Sequence, residues 1–272
     1  MLTMIGLAPH PPIIIPEIGR DRLGEAEKTV NGMQELSRQM KEAAPEVLLV
    51  ITPHGRIVAE GPAIQTGGEL KGNFGQFGFP GINVSLETDR ELVDLIVEES
   101  AKGQLQPLLL ADKDPLLRGG GSLDHGAMVP LYYLQQAGLN IPGVHITYSF
   151  HPLDQIYDFG RAIKAAAEKR DKRVAVLASG DLSHRLTRGA PAGYNPRGAE
   201  FDQQLVGYIR DGEVDKILNF DQQLAEEAGE CGLRSFVMAL GILDGENFTS
   251  EVISYEGPFG VGYLVATLKP LK

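Results

Sequence analysis

The sequence has one cysteine, no tryptophan and fewer positive than negative charges, and these shortages exclude several classes of protein. A single cysteine, Cys231, excludes a disulfide framework and any zinc site of the CxxC type. Lys and Arg number 25 against 36 Asp and Glu, a net charge of −11, so no basic stripe is available to neutralise the phosphates of a nucleic acid. We therefore expect no nucleic-acid partner.

Long apolar runs are also missing from the sequence. None approaches the ~18–20 residues that span a bilayer. The segment 1–15 lacks the basic region of a signal peptide and is interrupted by a histidine and by prolines. These observations predict a cytoplasmic enzyme or binding protein with no membrane partner.

What is present is an alternation of strand-like and helix-like segments. Apolar runs at 47–52 and 173–178 are typical of strands that are buried on both faces, and 154–169 carries apolar residues at helix spacing. This alternation predicts an α/β fold whose central sheet, largely parallel or mixed, is flanked by helices. We expect a single domain over 1–272, with an irregular glycine-rich insertion at about 57–90 packed on the sheet.

Histidines follow several of the predicted strands. Three strand-like runs end in a histidine within a few residues: APHPP at His10, ITPHG at His54 and SGDLSH at His184. A fourth, His125, lies in the loop sequence SLDHG ahead of a predicted helix. Ligands of open α/β sheets bind at the carboxyl ends of the strands, so we expect these four side chains to share one site. His145, within a strand, is interpreted as structural.

Two histidines and one carboxylate on one face of a metal are the arrangement of non-heme Fe(II) oxygenases, so a third ligand is required. The segment AEEAGECGLRSF offers Glu230 and Cys231 at the start of a predicted helix, where free N–H groups hold a carboxylate well. Glu256, at the end of a strand, is a further candidate. The spacing alone does not choose among these three residues.

Several common active-site motifs are absent. The sequence contains no GxSxG elbow, no GxGxxG after a strand, no P-loop and no HExxH. Ser183 and His184 are adjacent in the chain and cannot form the relay of a serine hydrolase. Dinucleotide-binding, nucleotide triphosphate-binding and zinc-protease functions are therefore excluded.

The motifs PHPPI at 9–13, TPHG at 52–55, DHG at 124–126 and GDLSH at 180–184 resemble those of the class III (LigB-type) extradiol ring-cleavage dioxygenases. Within that superfamily the chain is most similar to the LigB-like domain of the AmmeMemoRadiSam and Memo group. The resemblance covers essentially the whole chain. It implies a LigB-like α/β domain that assembles as a dimer or larger homo-oligomer.

The resemblance also implies roles for the four histidines. His10 and His54 match the two metal-binding histidines of the family. His184 matches the catalytic base, and His125 matches the second active-site histidine, which contacts the substrate. The implied substrate is a small catechol-like aromatic, which reacts with O2.

The third ligand decides between two functions. The family uses a glutamate in the dioxygenases and a cysteine in the Memo branch, and this chain has both, as Glu230 and Cys231. The carboxylate favours Fe(II) and ring cleavage, whereas the thiolate favours Cu or Zn and a Memo-like redox or partner-recognition protein without ring cleavage. An α/β protein without a metal is the third hypothesis. No residue specifies the substrate, since Arg118 and Tyr263 are better explained by loop solvation and sheet packing.

Overall fold

Strands and helices alternate along the chain. The computed structural model describes residues 1–111 and 123–271. The strands are β1 (Leu2–Ala8), β2 (Val47–Thr52), β3 (Ala63–Gln65), β4 (Glu69–Phe74), β5 (Phe79–Glu87), β6 (Leu108–Leu110), β7 (Gly143–Thr147), β8 (Val174–Ser179), β9 (Phe248–Glu256) and β10 (Tyr263–Pro270). The helices are α1 (Pro16–Gly19), α2 (Glu27–Glu42), α3 (Arg90–Ser100), α4 (His125–Gln136), α5 (Leu153–Lys169), α6 (Arg197–Asp211), α7 (Val214–Leu218), α8 (Gln222–Ala228) and α9 (Leu233–Ile242). Short 3-10 helices cover Pro12–Ile14, Arg20–Ala26 and Gly75–Phe77.

The central sheet is mixed. Among the described residues, eight strands pair in the order β6-β3-β7-β2-β8-β1-β10-β9. Its four middle strands, β7, β2, β8 and β1, run parallel to one another. The antiparallel pairs lie toward the two edges: β1 with β10, β10 with β9, and β7 with β3. This confirms the α/β fold with a largely parallel or mixed sheet. Because the four middle strands are parallel, their carboxyl ends lie at one edge of the sheet.

Each face of the sheet is covered, which explains why its middle strands are continuous apolar runs. In β2, Leu49 and Ile51 pack with α3, α5, α6 and α9 on one face. Leu48 and Val50 point the other way and pack with α2, α4 and the β4–β5 hairpin. A strand alternates its side chains between faces, so one run of six buried residues contributes to both cores.

The stretch at about 57–90 is more regular than its glycines suggest. β3 pairs with β7 and β6 inside the central sheet, while β4 and β5 form a separate antiparallel hairpin. Gly72 allows this hairpin to approach α4, because a Cβ there would clash with Met128 Sδ. The hairpin thereby comes to lie over the carboxyl edge of the sheet.

Two further elements agree with the sequence pattern. The predicted strand at 47–52 coincides with β2, and the predicted helix at 154–169 lies within α5. The glycine-rich loop predicted at 114–126 lies mostly outside the described residues, and Arg118 falls in that part. Among the helices that the structure describes, none has the length and apolar character needed to cross a membrane.

Candidate metal centre

The structure brings three of the predicted histidines together at the carboxyl edge of the sheet. His10 follows β1 by two residues, His54 follows β2 by two residues, and His125 is the first residue of α4. One ring nitrogen from each lies within 4.8 Å of the others. The His54 and His125 rings are stacked with centroids 4.3 Å apart, and His10 meets His54 edge-on.

The two strand-end histidines face each other through the same ring atom. His54 Nε2 lies 2.9 Å from His10 Nε2. Two nitrogen ligands held by one metal at about 2.1 Å and about a right angle would themselves lie about 3 Å apart. The pair therefore fits a single transition-metal ion.

The hydrogen bonds of His10 determine its tautomer. Its Nδ1 lies 2.9 Å from Ser179 Oγ, and that hydroxyl donates its own proton to the carbonyl of Gly126 at 2.5 Å. Ser179 must therefore accept from His10, whose Nδ1 carries the proton. Nε2 is left with a lone pair toward His54, which is the state that a metal ligand requires.

The imidazoles of His10, His54 and His125 are uncharged at neutral pH. Burial, followed by the neighbouring His125, lowers the pKa of His10 to about 3. Loss of solvation, followed by His10, lowers the pKa of His54 to about 3, and burial lowers that of His125. Neutral imidazoles with free lone pairs are the form that binds Fe, Zn or Cu, so this donor set suits such a metal.

A buried carboxylate holds His125 in place. Asp124 accepts hydrogen bonds from Thr52 Oγ at 2.6 Å, from His145 Nε2 at 2.9 Å and from the backbone N–H of Ala127 at 3.2 Å. Burial opposes its ionisation, but the bonds from His145 and Thr52 outweigh that effect and hold the pKa of Asp124 below its ordinary value. Asp124 thus caps α4 and links it to β2 and β7.

The three candidates for the third ligand occupy different environments. Cys231 Sγ lies 3.8 Å from His10 Nε2, whereas Glu230 Oε2 accepts from the backbone N–H of Leu233 at 2.7 Å, in the first turn of α9. Burial raises the pKa of Glu230 to about 7 and raises that of the Cys231 thiol well above its usual range.

The third candidate, Glu256, is bound to another part of the chain. Its Oε1 accepts hydrogen bonds from the backbone N–H and from the hydroxyl of Thr29, at the start of α2, at 2.7 and 2.6 Å.

His184 lies on the loop that follows β8. Its N–H donates to the carbonyl of Ala228 at 3.1 Å, and its carbonyl accepts from the N–H of Ala192 at 3.2 Å. The side chain is half-buried, and its Nδ1 is buried with no hydrogen-bond partner among the described residues. A positive charge on His184 would lower the pKa of His10 and that of Asp181. The His184 side chain is therefore close enough to interact electrostatically with the cluster of three histidines.

Asp181, which the sequence reasoning missed, joins the loop to the centre. Its Oδ1 accepts the backbone N–H of His10 at 2.9 Å, and its own N–H points to Cys231 Sγ at 3.4 Å. The N–H of Cys231 returns a hydrogen bond to the carbonyl of Asp181 at 3.2 Å. Its place in the GDLSH motif was the available signal for this role.

A cavity of about 870 Å³ opens beside the histidines. His54, His125 and Asp124 form part of its wall, and the β4–β5 hairpin forms another part. Phe77, at the tip of the hairpin, meets His125 with ring centroids 5.8 Å apart. This volume lies in the range that holds a substrate-sized organic molecule.

The family with the description "Catalytic LigB subunit of aromatic ring-opening dioxygenase" matches residues 5–266, and this chain belongs to it. The LigB-type superfamily inferred from the histidine motifs is thereby confirmed.

Relatives and a solved structure agree with this placement. Protein CA_C1420 of Clostridium acetobutylicum is 38% identical over 265 residues, 97% of this chain, which spans only 56% of that relative's length. The 3,4-dihydroxyphenylacetate 2,3-dioxygenase of Escherichia coli is 26% identical over 256 residues, 90% of each chain. The 2-aminophenol 1,6-dioxygenase beta subunit of Pseudomonas sp is 25% identical, with 95% of this chain and 91% of that subunit covered. The crystal structure of protein JW3007 from E. coli K12 has a TM-score of 0.66 at 16% identity, covering 97% of this chain and 99% of that chain, and so shares the fold.

Proposed function

We propose that this protein is a metal-dependent dioxygenase that opens the ring of a catechol-like aromatic with O2. The observation that carries the proposal is the convergence of His10 Nε2 and His54 Nε2, 2.9 Å apart, with a nitrogen of His125 in the same group. The membership in the LigB family supports the reaction class. Relatives with 25–26% identity carry names that specify dioxygenases of a dihydroxylated ring and of an aminophenol.

His10 and His54 are the proposed ligands of Fe(II), with Zn or Cu as alternatives, and Glu230 is the proposed third ligand. When bound, Fe(II) supplies a template that holds the substrate oxygens and O2 together and lets charge pass between them. His125 can contribute a further nitrogen as well as the substrate contact expected from its motif, because its ring stacks on that of His54.

His184 is the proposed general base. It accepts the proton of a ring hydroxyl at Nε2, since its Nδ1 is enclosed by protein. A positioned acid–base group of this kind contributes about 10²–10⁴-fold to the rate. The cytoplasmic location and the homodimer expected from composition and resemblance belong to the same proposal.

A second function is favoured by one contact. Cys231 Sγ lies 3.8 Å from His10 Nε2, whereas the Glu230 carboxylate is engaged by the backbone of α9. A His–His–Cys set would select Cu or Zn and would give a Memo-like redox or partner-recognition protein.

One experiment separates the two functions. Anaerobic protein loaded with Fe(II) and then mixed with O2 and a panel of catechols should form a yellow ring-opened product. Glu230→Gln should abolish the product if the carboxylate is the ligand, while Cys231→Ser should leave it intact. Glu226→Gln, an exposed carboxylate in α8, is the matched control. The absence of product from every catechol, with Cu or Zn lost on changing Cys231, would support the second function instead.

A further inference from the structure

The ring of His125 is held by packing, in contrast to the ring of His10, whose Nδ1 is fixed by Ser179. No hydrogen bond joins the His125 imidazole to any other residue that the structure describes. Its ring stacks on that of His54 and meets two other rings edge-on, His10 at 5.5 Å and Phe77 at 5.8 Å between centroids. Of these three neighbours only Phe77 lies outside the metal centre. The orientation of His125 therefore depends on a residue of the β4–β5 hairpin.

The tip of the hairpin places Phe77 by means of two local turns. Asn73 Oδ1 accepts the backbone N–H of Gly75 at 2.8 Å, which starts a 3-10 helix that ends at Phe77. Gly78 then reverses the chain with a φ of +88°, a left-handed conformation that glycine adopts without the steric cost of a side chain. Because the chain turns back at this point, the Phe77 ring lies at the start of α4, against His125.

Phe77 is itself supported by the core. Its ring lies 6.2 Å from that of Phe74, between centroids, and Phe74 is fully buried. Phe74, Phe77, His125 and His54 thus form a continuous row of rings from the core to the metal centre. Edge-on contact of rings about 4.5–7 Å apart is favourable, because the positive edge of one ring meets the negative face of the other. The row restricts the rotamers of His125, which could otherwise turn into the cavity that it lines.

We propose that Phe77 is a positioning residue of the metal centre. It holds the His125 imidazole against His54 and thereby keeps a His125 nitrogen within the group of three, all within 4.8 Å of one another, that also includes His10. A leucine at this position would leave part of the space beside the imidazole empty and would present no ring edge to it. The inference deepens the proposed function and rests on its metal centre, but it does not depend on ring cleavage.

A double-mutant cycle on Zn(II) affinity, measured by chelator competition, tests the coupling between the two rings. His125→Gln should weaken Zn(II) binding about tenfold, and Phe77→Leu should weaken it about three- to tenfold. The double variant should bind no more weakly than His125→Gln, because Phe77 then has no imidazole to hold. Phe77→Tyr retains the ring and should keep the wild-type affinity.

Phe79→Leu is the matched control. Phe79 lies in the same hairpin, but its ring faces the guanidinium of Arg20, 5.1 Å from the ring centre, so its loss should leave the Zn(II) affinity unchanged.

The proposal is overturned if Phe77→Leu leaves the Zn(II) affinity unchanged. It is also overturned if Phe77→Leu causes the same loss with and without His125, since that result would indicate a general effect on the fold. A loss of the same size from Phe79→Leu would have the same meaning. None of these measurements uses O2 or an aromatic ligand, so a protein that shows the coupling but opens no catechol ring would contradict the proposed function alone.

Discussion

Asp202 is a buried acid whose ionisation should make the stability of this protein depend on pH. It lies in α6 with its side chain fully buried, and it accepts the backbone N–H of Ser183 at 2.8 Å and the hydroxyl of Tyr255 at 2.6 Å. Burial raises the pKa of Asp202 from 3.8 to about 7 in spite of these two hydrogen bonds. We predict that Asp202→Asn removes a loss of stability that the wild-type protein suffers as the pH rises.

The direction follows from proton linkage. In the unfolded chain Asp202 ionises near its ordinary pKa of 3.8, whereas in the folded protein it keeps its proton up to a pKa of about 7. Between these values the unfolded state binds fewer protons, so the free energy of unfolding falls as the pH rises. Each unit of pKa difference corresponds to about 1.4 kcal/mol of stability, so the difference between 3.8 and about 7 can lower the free energy of unfolding by at most about 4 kcal/mol. About 3 kcal/mol of that loss occurs between about pH 5 and pH 8.

Urea unfolding of wild-type protein and of Asp202→Asn across that range measures the effect. The difference in the free energy of unfolding between them should grow in favour of the variant by up to about 3 kcal/mol from about pH 5 to pH 8. Other titrating groups are common to both proteins and cancel in the difference. Asp211→Asn, an exposed aspartate at the end of the same helix, should show no such trend. A difference that is constant or that shrinks as the pH rises would refute ionisation of Asp202 as the cause.

Three further predictions concern the metal centre and its supports. Ser179→Ala removes the acceptor of His10 Nδ1 and should weaken binding of Zn(II) or Fe(II) about 10–100-fold in a chelator competition, and unchanged affinity would contradict the assigned tautomer. His145→Ala removes one of the three hydrogen bonds to the Asp124 carboxylate and should cost about 1–3 kcal/mol in urea unfolding, with part of the loss recovered when Asp124→Asn is added. Gly180→Ala should cost about 1–3 kcal/mol or more, since the added Cβ has no space, and a fully stable variant would show that the loop can move.

The parts of the structure that could be predicted from sequence are those that depend on local pattern. The run at 47–52 had to be buried on both faces, and the structure places it in the middle of the sheet as β2. The proximity of His10 and His54 follows from the same reasoning, because residues after parallel strands meet at one edge, whereas His125 joins them from the start of α4.

The contacts that could not be predicted join residues far apart in the chain. His145 was interpreted as structural, and its partner Asp124 lies on another element, so the pair depends on β7 lying beside β2. Asp202 meets Tyr255 only because α6 packs against β9. Glu230 and Cys231 are adjacent, yet their side chains point in different directions. The Glu230 carboxylate accepts from the backbone of α9, and the Cys231 thiol lies near His10. These directions depend on the backbone geometry at the start of α9, which the residue types alone do not specify.

The motifs that identify the family are as much packing requirements as chemical ones. Gly180 and Gly232 lie where two loops cross. The loops are so close that a Cβ on Gly180 would overlap the Cα of Gly232. The crossing lets the N–H of Cys231 donate to the carbonyl of Asp181, and the N–H of Asp181 donate to Cys231 Sγ, beside His10. Gly180 of the GDLSH motif and Gly232 of the segment AEEAGECGLRSF therefore hold the loop of the proposed base against the start of α9. This packing requires the two glycines whether Glu230 or Cys231 completes the metal site. The motifs are therefore stronger evidence for the histidine metal centre than for the reaction that it catalyses.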